Sequence, residues 1–303
     1  MKKLLFIINP KAGVKKNKHF VDDALEIFEK AGYKVGVKYT KKRADGTRIA
    51  RDYGAKADLI VCMGGDGTLN EVMQGMLEGE ISTPLGYIPA GSTNDFANSL
   101  GLRTNPKDQA EFIMETEAKS LDLGWFNGRY FVYTASAGIF SVKIPADAGI
   151  ITETSYSTPQ ELKNKLGHFA YILHGIREVF KIRRLKLRIE TEDEVYENKY
   201  IFVAINNAKK VGGIMRLDKA HVEFNDGEFE LMLVEFPRDF IQLMKTVGKI
   251  FMQDFSGNIT FKQIKSAKIT NCSDVNWSLD GEKEKAHDFV EFKVIHNAIN
   301  FIY

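Results

Sequence analysis

The segment Gly64-Gly65-Asp66-Gly67-Thr68-Leu69-Asn70-Glu71 places three glycines and an aspartate between an apolar run and a helical pattern. Glycines let the backbone close on a phosphate, and a helix beginning near Thr68 would offer unpaired N–H groups at the positive end of its dipole. This composition suits the cradling of a nucleotide's phosphates. No Gly-Lys-Ser or Gly-Lys-Thr closes the loop as in a Walker A motif, and the spacing is not the dinucleotide Gly-x-Gly-x-x-Gly. A tight strand-to-helix connection would also account for the glycines. A half-buried Asp66 among them, however, needs a cation or a hydroxyl to offset its desolvation.

Two further segments have the same character: Asn9-Pro10-Lys11-Ala12-Gly13, and Pro89-Ala90-Gly91-Ser92-Thr93-Asn94-Asp95-Phe96. Each follows a short apolar run. Runs at Leu4–Ile8, Lys34–Tyr39, Leu59–Met63 and Leu85–Ile88 alternate with helical patterns at Phe20–Ala31, Thr47–Tyr53 and Leu69–Leu77. Strand and helix in alternation predict a parallel sheet, in which all three loops open at one carboxyl edge, the place where such folds bind ligands. In the first helix Phe20, Ala24, Phe28 and Ala31 share a face, and Gly32 stands where a left-handed cap belongs.

Beyond about residue 122 the pattern changes. Asn127-Gly128 separates Leu121–Phe126 from Tyr130–Ala135, Asp226-Gly227 precedes Phe229–Glu235, and Asp280-Gly281 lies near the end. Such dipeptides mark antiparallel hairpins and turns. Helices are expected from about Pro159 to Phe180 and near Arg238–Met252. At 303 residues two domains are expected. Residues 1–123 read as a doubly wound α/β nucleotide-binding domain and 124–296 as an antiparallel β-sandwich with inserted helices. A cleft would lie between them, and residues 297–303 are candidates to return to the first domain. On the residues alone, Asp280-Gly281-Glu282 reads as a turn with a solvated glutamate.

A net charge of +2 is too small for the basic stripe of a nucleic-acid binder. No run approaches the roughly 20 apolar residues of a membrane span, and the apolar start is cut short at Asn9-Pro10. These features predict a cytoplasmic protein whose membrane contact is peripheral. The widely separated Cys62 and Cys272 read as free thiols. The six histidines lack metal-ligand spacing.

From Asn9–Gly13 through Gly64–Glu71 and Pro89–Ala97 to Leu279-Asp280-Gly281-Glu282, the chain resembles the diacylglycerol kinase catalytic family, which also holds sphingosine and ceramide kinases. Within the family it looks most like the soluble diacylglycerol kinases of Gram-positive bacteria, including in Thr158-Pro159-Gln160-Glu161-Leu162-Lys163. The resemblance implies ATP as co-substrate, lined by Asn9, Pro10, Lys11, Ala12, Gly13, Thr40, Gly64, Gly65, Asp66, Gly67, Thr68, Asn70, Glu71, Thr93 and Asn94. Asp66 and Asp95 would hold or position Mg²⁺ and phosphate. Glu282 inherits the role of general base, with Asp280 beside it. A structural Mg²⁺ would sit on Asp226 and the carbonyls of Glu223 and Glu228, although Asn225 stands where the family often has an acid. The partner implied is a membrane lipid, diacylglycerol first, and a homodimer is a further expectation from the family.

Lys11, Lys15, Lys16, Lys18, Lys41, Lys42 and Arg43 crowd the carboxyl edge, where they would meet phosphates, anionic headgroups or only water. Lys15 and, on the expected helix, Lys163 are candidates to steer substrate, and Gly138–Val142 would border the cleft. The alternating cations from Lys181 to Arg188 read as one solvated strand face. Two other classes stay open: a kinase of a soluble hydroxyl, since NAD kinases and phosphofructokinases share Gly-Gly-Asp-Gly, and a nucleotide-binding protein without catalysis.

Overall fold

The computed structural model describes residues 1–12, 19–91, 94–138, 184–208, 210–211, 215–216 and 223–303. Four parallel strands, β1 (Lys2–Ile8), β2 (Tyr33–Tyr39), β3 (Leu59–Gly64) and β4 (Leu85–Pro89), stand in the order β2-β1-β3-β4. Every residue of β3 is buried, as befits an apolar strand covered on both faces. Helices α1 (His19–Lys30) and α5 (Pro106–Glu115) cover one face, where Val21, Ala24, Phe28 and Ile113 meet Phe6, Val61 and Met63. Helices α2 (Asp45–Tyr53) and α3 (Asp66–Glu78) cover the other, where Ile49, Leu69 and Val72 meet Leu5, Ile60 and Cys62. Helix α4 (Asp95–Leu100) follows the third crossover loop.

In α1, Ala24 and Phe28 are fully buried as expected, and the face differs from the expectation only at its ends. Val21 is buried, while Phe20 is only partly covered and Ala31 is exposed beyond the helix end. Gly32 caps it at φ 87°, as expected.

The second half is antiparallel and continues the same sheet. Strands β5 (Lys119–Phe126) and β6 (Arg129–Phe131) pair across Asn127-Gly128, whose φ values of 45° and 89° give the left-handed two-residue turn. Next come β7 (Thr134–Gly138), β8 (Leu185–Thr191), β9 (Val195–Asn206) and the short pair β10 (Lys210–Val211) and β11 (Met215–Arg216). Strand β12 (Phe229–Glu235) is followed by helix α6 (Phe240–Met252), β13 (Ile259–Ile264) and β14 (Ser266–Thr270). Strands β15 (Trp277–Leu279), β16 (Glu282–Glu284) and β17 (Phe289–Phe301) close the chain. Phe126, Phe131, Phe229, Trp277 and Phe292 form its aromatic core.

Two long-range pairings set the geometry that matters. The last strand, β17, pairs antiparallel with β5 and β14 and ends parallel to β4, with Phe301 opposite Leu85. The hairpin β15–β16 pairs with β7, so that Trp277, Ser278 and Leu279 oppose Ala137, Ser136 and Ala135. Its turn, Asp280-Gly281, has φ values of 50° and 78°. The helix expected at Pro159–Phe180, and Lys181 to Arg183 of the alternating run, lie outside the described residues. In β8, Leu185, Leu187 and Ile189 are buried and Lys186 is exposed, as one solvated face requires.

Candidate active site

Three crossover loops meet at the carboxyl edge of the parallel strands. Asn9, after β1, donates its backbone N–H to Met63 O (2.9 Å) and its side-chain Nδ2 to Thr68 Oγ1 (2.9 Å). The loop after β4 lies directly against the loop after β3: a β-carbon on Gly91 would stand 2.7 Å from Gly65 Cα. Only bare backbone fits at that crossing. Asn94, at φ 49°, brackets its own loop by accepting from Gly91 N (2.8 Å) and donating to Gly91 O (3.0 Å).

Helix α3 starts at Asp66, two residues earlier than its sequence suggests, with Gly65 as its N-cap. Asp66 therefore stands in the first turn, and its two oxygens accept the N–H groups of Asp95 (3.1 Å) and Phe96 (3.3 Å) at the start of α4. Glu71, five residues on, accepts from Ala44 N (2.8 Å) and Gly46 N (3.0 Å), at the start of α2. Both acids of the Gly-Gly-Asp-Gly-Thr-Leu-Asn-Glu segment thus cap a neighbouring helix from outside, in the manner of an N-cap supplied by a different element. Asn70 reaches the second half, donating Nδ2 to Asp280 Oδ2 at 2.8 Å.

Asp280 is saturated. Oδ1 accepts from Tyr133 N (3.0 Å) and Thr134 N (3.1 Å), and Oδ2 from Val132 N (2.7 Å) and Asn70. Burial pushes its carboxyl up to about 6, against four hydrogen bonds that pull it down. With four acceptor positions filled, Asp280 fastens the β15–β16 turn to β7 and α3 and has no lone pair directed at a substrate. Asn70, Glu71 and Asn94, expected as nucleotide contacts, likewise engage protein partners.

Glu282 is two residues beyond that anchor. A β-carbon on Gly67 would lie 3.3 Å from Glu282 Oε1, so the glutamate stands over the first turn of α3. Its other oxygen meets Arg129 Nη2 at 2.7 Å and Arg43 Nη2 at 3.4 Å. Arg129 also reaches Glu284 Oε2 at 2.8 Å. Burial alone would raise the Glu284 carboxyl, but the Arg129 hydrogen bond and charge hold it below the usual range. The sequence reading placed Arg43 at this edge without its contact to Glu282, and it missed Arg129 and Glu284. A signal existed in the alternation of Glu282 and Glu284, which puts both on one strand face.

Tyr133 is buried beside this edge, and its hydroxyl is pushed up by burial first and then by the charges of Asp280, Asp66 and Asp95. Among the described residues no three acidic, histidine or cysteine side chains converge closely enough to hold a metal unaided. Mg²⁺ takes one or two carboxylates and completes its shell with substrate phosphates and water, so a kinase's Mg²⁺ would not require such a cluster.

Thr40 is buried at the end of β2, with its N–H on Ile8 O, and Lys11 is exposed at the edge beside Pro10 and Ala12. Gly13, Lys15, Thr93 and Lys163 lie outside the described residues. Asp226 and Glu228 occupy a separate place below β17. There Asp226 Oδ1 accepts Glu228 N (3.0 Å) and Oδ2 accepts Gln263 Nε2 (3.3 Å), while Gly227 N donates to buried Asp122 (2.7 Å). Burial raises the Asp226 carboxyl, and the charges of Glu228 and Asp122 raise it further. Glu228 Oε1 meets Lys265 Nζ at 3.5 Å, and Glu223 is exposed at the start of the same segment. Both cysteines are buried and unpaired.

The diacylglycerol kinase catalytic domain model matches residues 3–126, which includes all three loops. The diacylglycerol kinase of Staphylococcus saprophyticus is 31% identical over 288 residues, covering 93% of this chain and 89% of that protein. That of Bacillus subtilis is 30% identical, covering 93% and 90%. The chain belongs to the diacylglycerol kinase family. A crystal structure from Bacillus anthracis, 26% identical, superposes with a TM-score of 0.79 over 100% of this chain and 97% of its own. A second, of a diacylglycerol kinase from the same organism, gives 0.75 at 24% identity and supports the fold. As a member of this family the protein is an enzyme of the lipid-kinase class. Among the described residues no helix is long and apolar enough to cross a membrane.

Proposed function

We propose that the protein transfers the γ-phosphoryl group of ATP to the free hydroxyl of diacylglycerol, giving phosphatidic acid. The observation that carries this reading is Glu282, delivered by the second half of the chain to Gly67 at the N-terminus of α3. A phosphate cradle and a carboxylate from another element then face one space. Phosphoryl transfer asks a protein for positioning and charge neutralisation, with a group to take the acceptor's proton.

In this reading the first-turn N–H groups of α3 point at the triphosphate, while bare backbone at Gly64, Gly65 and Gly91 lets the loops beneath it close on Thr68 and on each other. Mg²⁺ bound through Asp66 and Asp95 would supply neutralisation of the phosphate oxygens. Glu282 Oε1 accepts the hydroxyl proton as the hydroxyl oxygen attacks the γ-phosphorus, and ADP leaves. Asp280 and Asn70 hold the two halves in register, so the base does not drift from the cradle. A second Mg²⁺ at Asp226, with the Glu223 and Glu228 carbonyls, would serve structure. The enzyme would work in the cytoplasm and touch the bilayer surface to reach its lipid.

The test uses labelled ATP with Mg²⁺ and diacylglycerol, monoacylglycerol, ceramide, sphingosine or phosphatidylglycerol in mixed micelles, with NAD in a parallel arm. Label in diacylglycerol is the expected result. Label in NAD alone defeats the lipid acceptor, and undiminished lipid phosphorylation by Glu282→Gln defeats the base.

A further inference from the structure

Arg129 has no counterpart among the loops that mark the site, yet it is the link between two acids of different standing. The Asn127-Gly128 turn delivers it to the start of β6, where Nη1 donates to Glu284 Oε2 at 2.8 Å and Nη2 to Glu282 Oε2 at 2.7 Å. Glu284 is the fixed end. Its side chain is only 13% exposed, and its second oxygen accepts Lys285 N at 3.1 Å. Glu282 is the loose end, with a side chain 45% exposed.

Residues two apart on a strand project from the same face, so the carboxylates of Glu282 and Glu284 are near neighbours of like charge. Unbridged, they repel, and the more exposed of the two has solvent to turn into. A planar guanidinium with two parallel donors can tie one oxygen of each, and that geometry selects a rotamer for both. With Oε2 of Glu282 held by Arg129, the remaining oxygen, Oε1, is the one that faces Gly67. Arg43 reaches Oε2 as well, but at 3.4 Å from a side chain 83% exposed, and an ion pair of that kind orients little.

We propose that Arg129 is a positioning residue for phosphoryl transfer, aiming the Glu282 carboxylate at the first turn of α3 by tying it to the anchored Glu284. It acts through Glu282 and so rests on the reading of Glu282 as the base. Misplacing a reacting group by about 1 Å costs on the order of 100-fold in rate. Loss of the tie therefore lowers turnover and leaves nucleotide binding alone.

The experiment measures kcat, and KM for ATP and lipid, in Arg129→Ala, Arg129→Lys, Glu284→Ala, Glu282→Gln and the double variant Arg129→Ala/Glu282→Gln. Arg129→Ala is expected to lower kcat by about 10- to 100-fold with KM for ATP within about two-fold. Arg129→Lys, which keeps the charge but not the fork, is expected to recover part of it, and Glu284→Ala to lose less than Arg129→Ala. In the double variant Arg129→Ala adds nothing to Glu282→Gln. Should Arg129→Ala be poorly folded, the lysine variant and Glu284→Ala carry the decision. Unchanged kcat in Arg129→Ala, a loss confined to KM for ATP, or an undiminished effect of Arg129→Ala in the Glu282→Gln background overturns the proposal. Full activity of Glu282→Gln by itself overturns the assignment of the base instead.

Discussion

Gly67 and Glu282, from opposite ends of the chain, are so close that a β-carbon on the glycine would stand 3.3 Å from Glu282 Oε1. Gly67 lies in the first turn of α3, where alanine is conformationally better than glycine by roughly 0.5–1 kcal/mol. Gly67→Ala is therefore expected to leave the melting temperature equal or slightly higher. It should nevertheless lower kcat by about 10-fold or more through displacement of the carboxylate. Thermal unfolding and turnover measured together check this opposition of signs. Full activity in a stable variant would mean that the glutamate has room to spare and that its approach to α3 is unimportant.

Asp280 accepts four hydrogen bonds, three of them from consecutive backbone N–H groups at Val132, Tyr133 and Thr134. Asparagine is the same size but turns one acceptor oxygen into a donor that faces donors. Leaving such groups unsatisfied costs about 1–3 kcal/mol each, more for those bonded to a charge. Asp280→Asn is expected to destabilise by on the order of 3 kcal/mol in urea unfolding and to lose activity in parallel, because the turn carrying Glu282 is released. An unchanged unfolding midpoint with activity lost would return Asp280 to the chemistry and away from the scaffold.

The site was legible in sequence as far as its glycines reach. Three Gly-containing loops at successive strand ends have one physical cause, backbone crowding at a sheet's carboxyl edge, and periodicity alone places them together. What each polar side chain does was not legible. Asp66 and Glu71 look like ligands because they follow glycines, and only the packing of α4 and α2 against α3 shows that they cap those helices. Arg129 was hidden for another reason. Its meeting with Glu282 depends on two tight turns, Asn127-Gly128 and Asp280-Gly281, and on β15 pairing with β7, a register that the short run Trp277–Leu279 does not announce.

Glu71 offers a direct comparison of the two roles. Its carboxylate holds Ala44 N and Gly46 N at the start of α2, and a lost cap of this kind costs about 0.5–2 kcal/mol. Glu71→Ala is expected to lower stability by about that amount while KM for ATP moves little. A calorimetric melt and an ATP titration decide it. A large rise in KM at unchanged stability would restore the nucleotide contact that its place in the loop suggests.

Glu230 is buried in β12 at 1% exposure, and neither carboxylate oxygen has a hydrogen-bond partner. Burial pushes its carboxyl up from 4.5 to about 8, with the charges of Asp226 and Glu228 adding to the rise. Between those two values the folded protein keeps a proton that the unfolded chain has released. Stability therefore falls as pH rises from about 4.5 to about 8, by roughly 1.4 kcal/mol per unit. Glutamine has the size of the protonated acid and cannot ionise. Glu230→Gln is thus expected to match the parent near the acid end of that window and to gain on it steadily toward neutrality, reaching on the order of 3 kcal/mol near pH 7. Melting temperatures of both proteins across the window supply the test. Two parallel curves would show that Glu230 is already ionised in the folded state and that its burial is relieved by a cation or water.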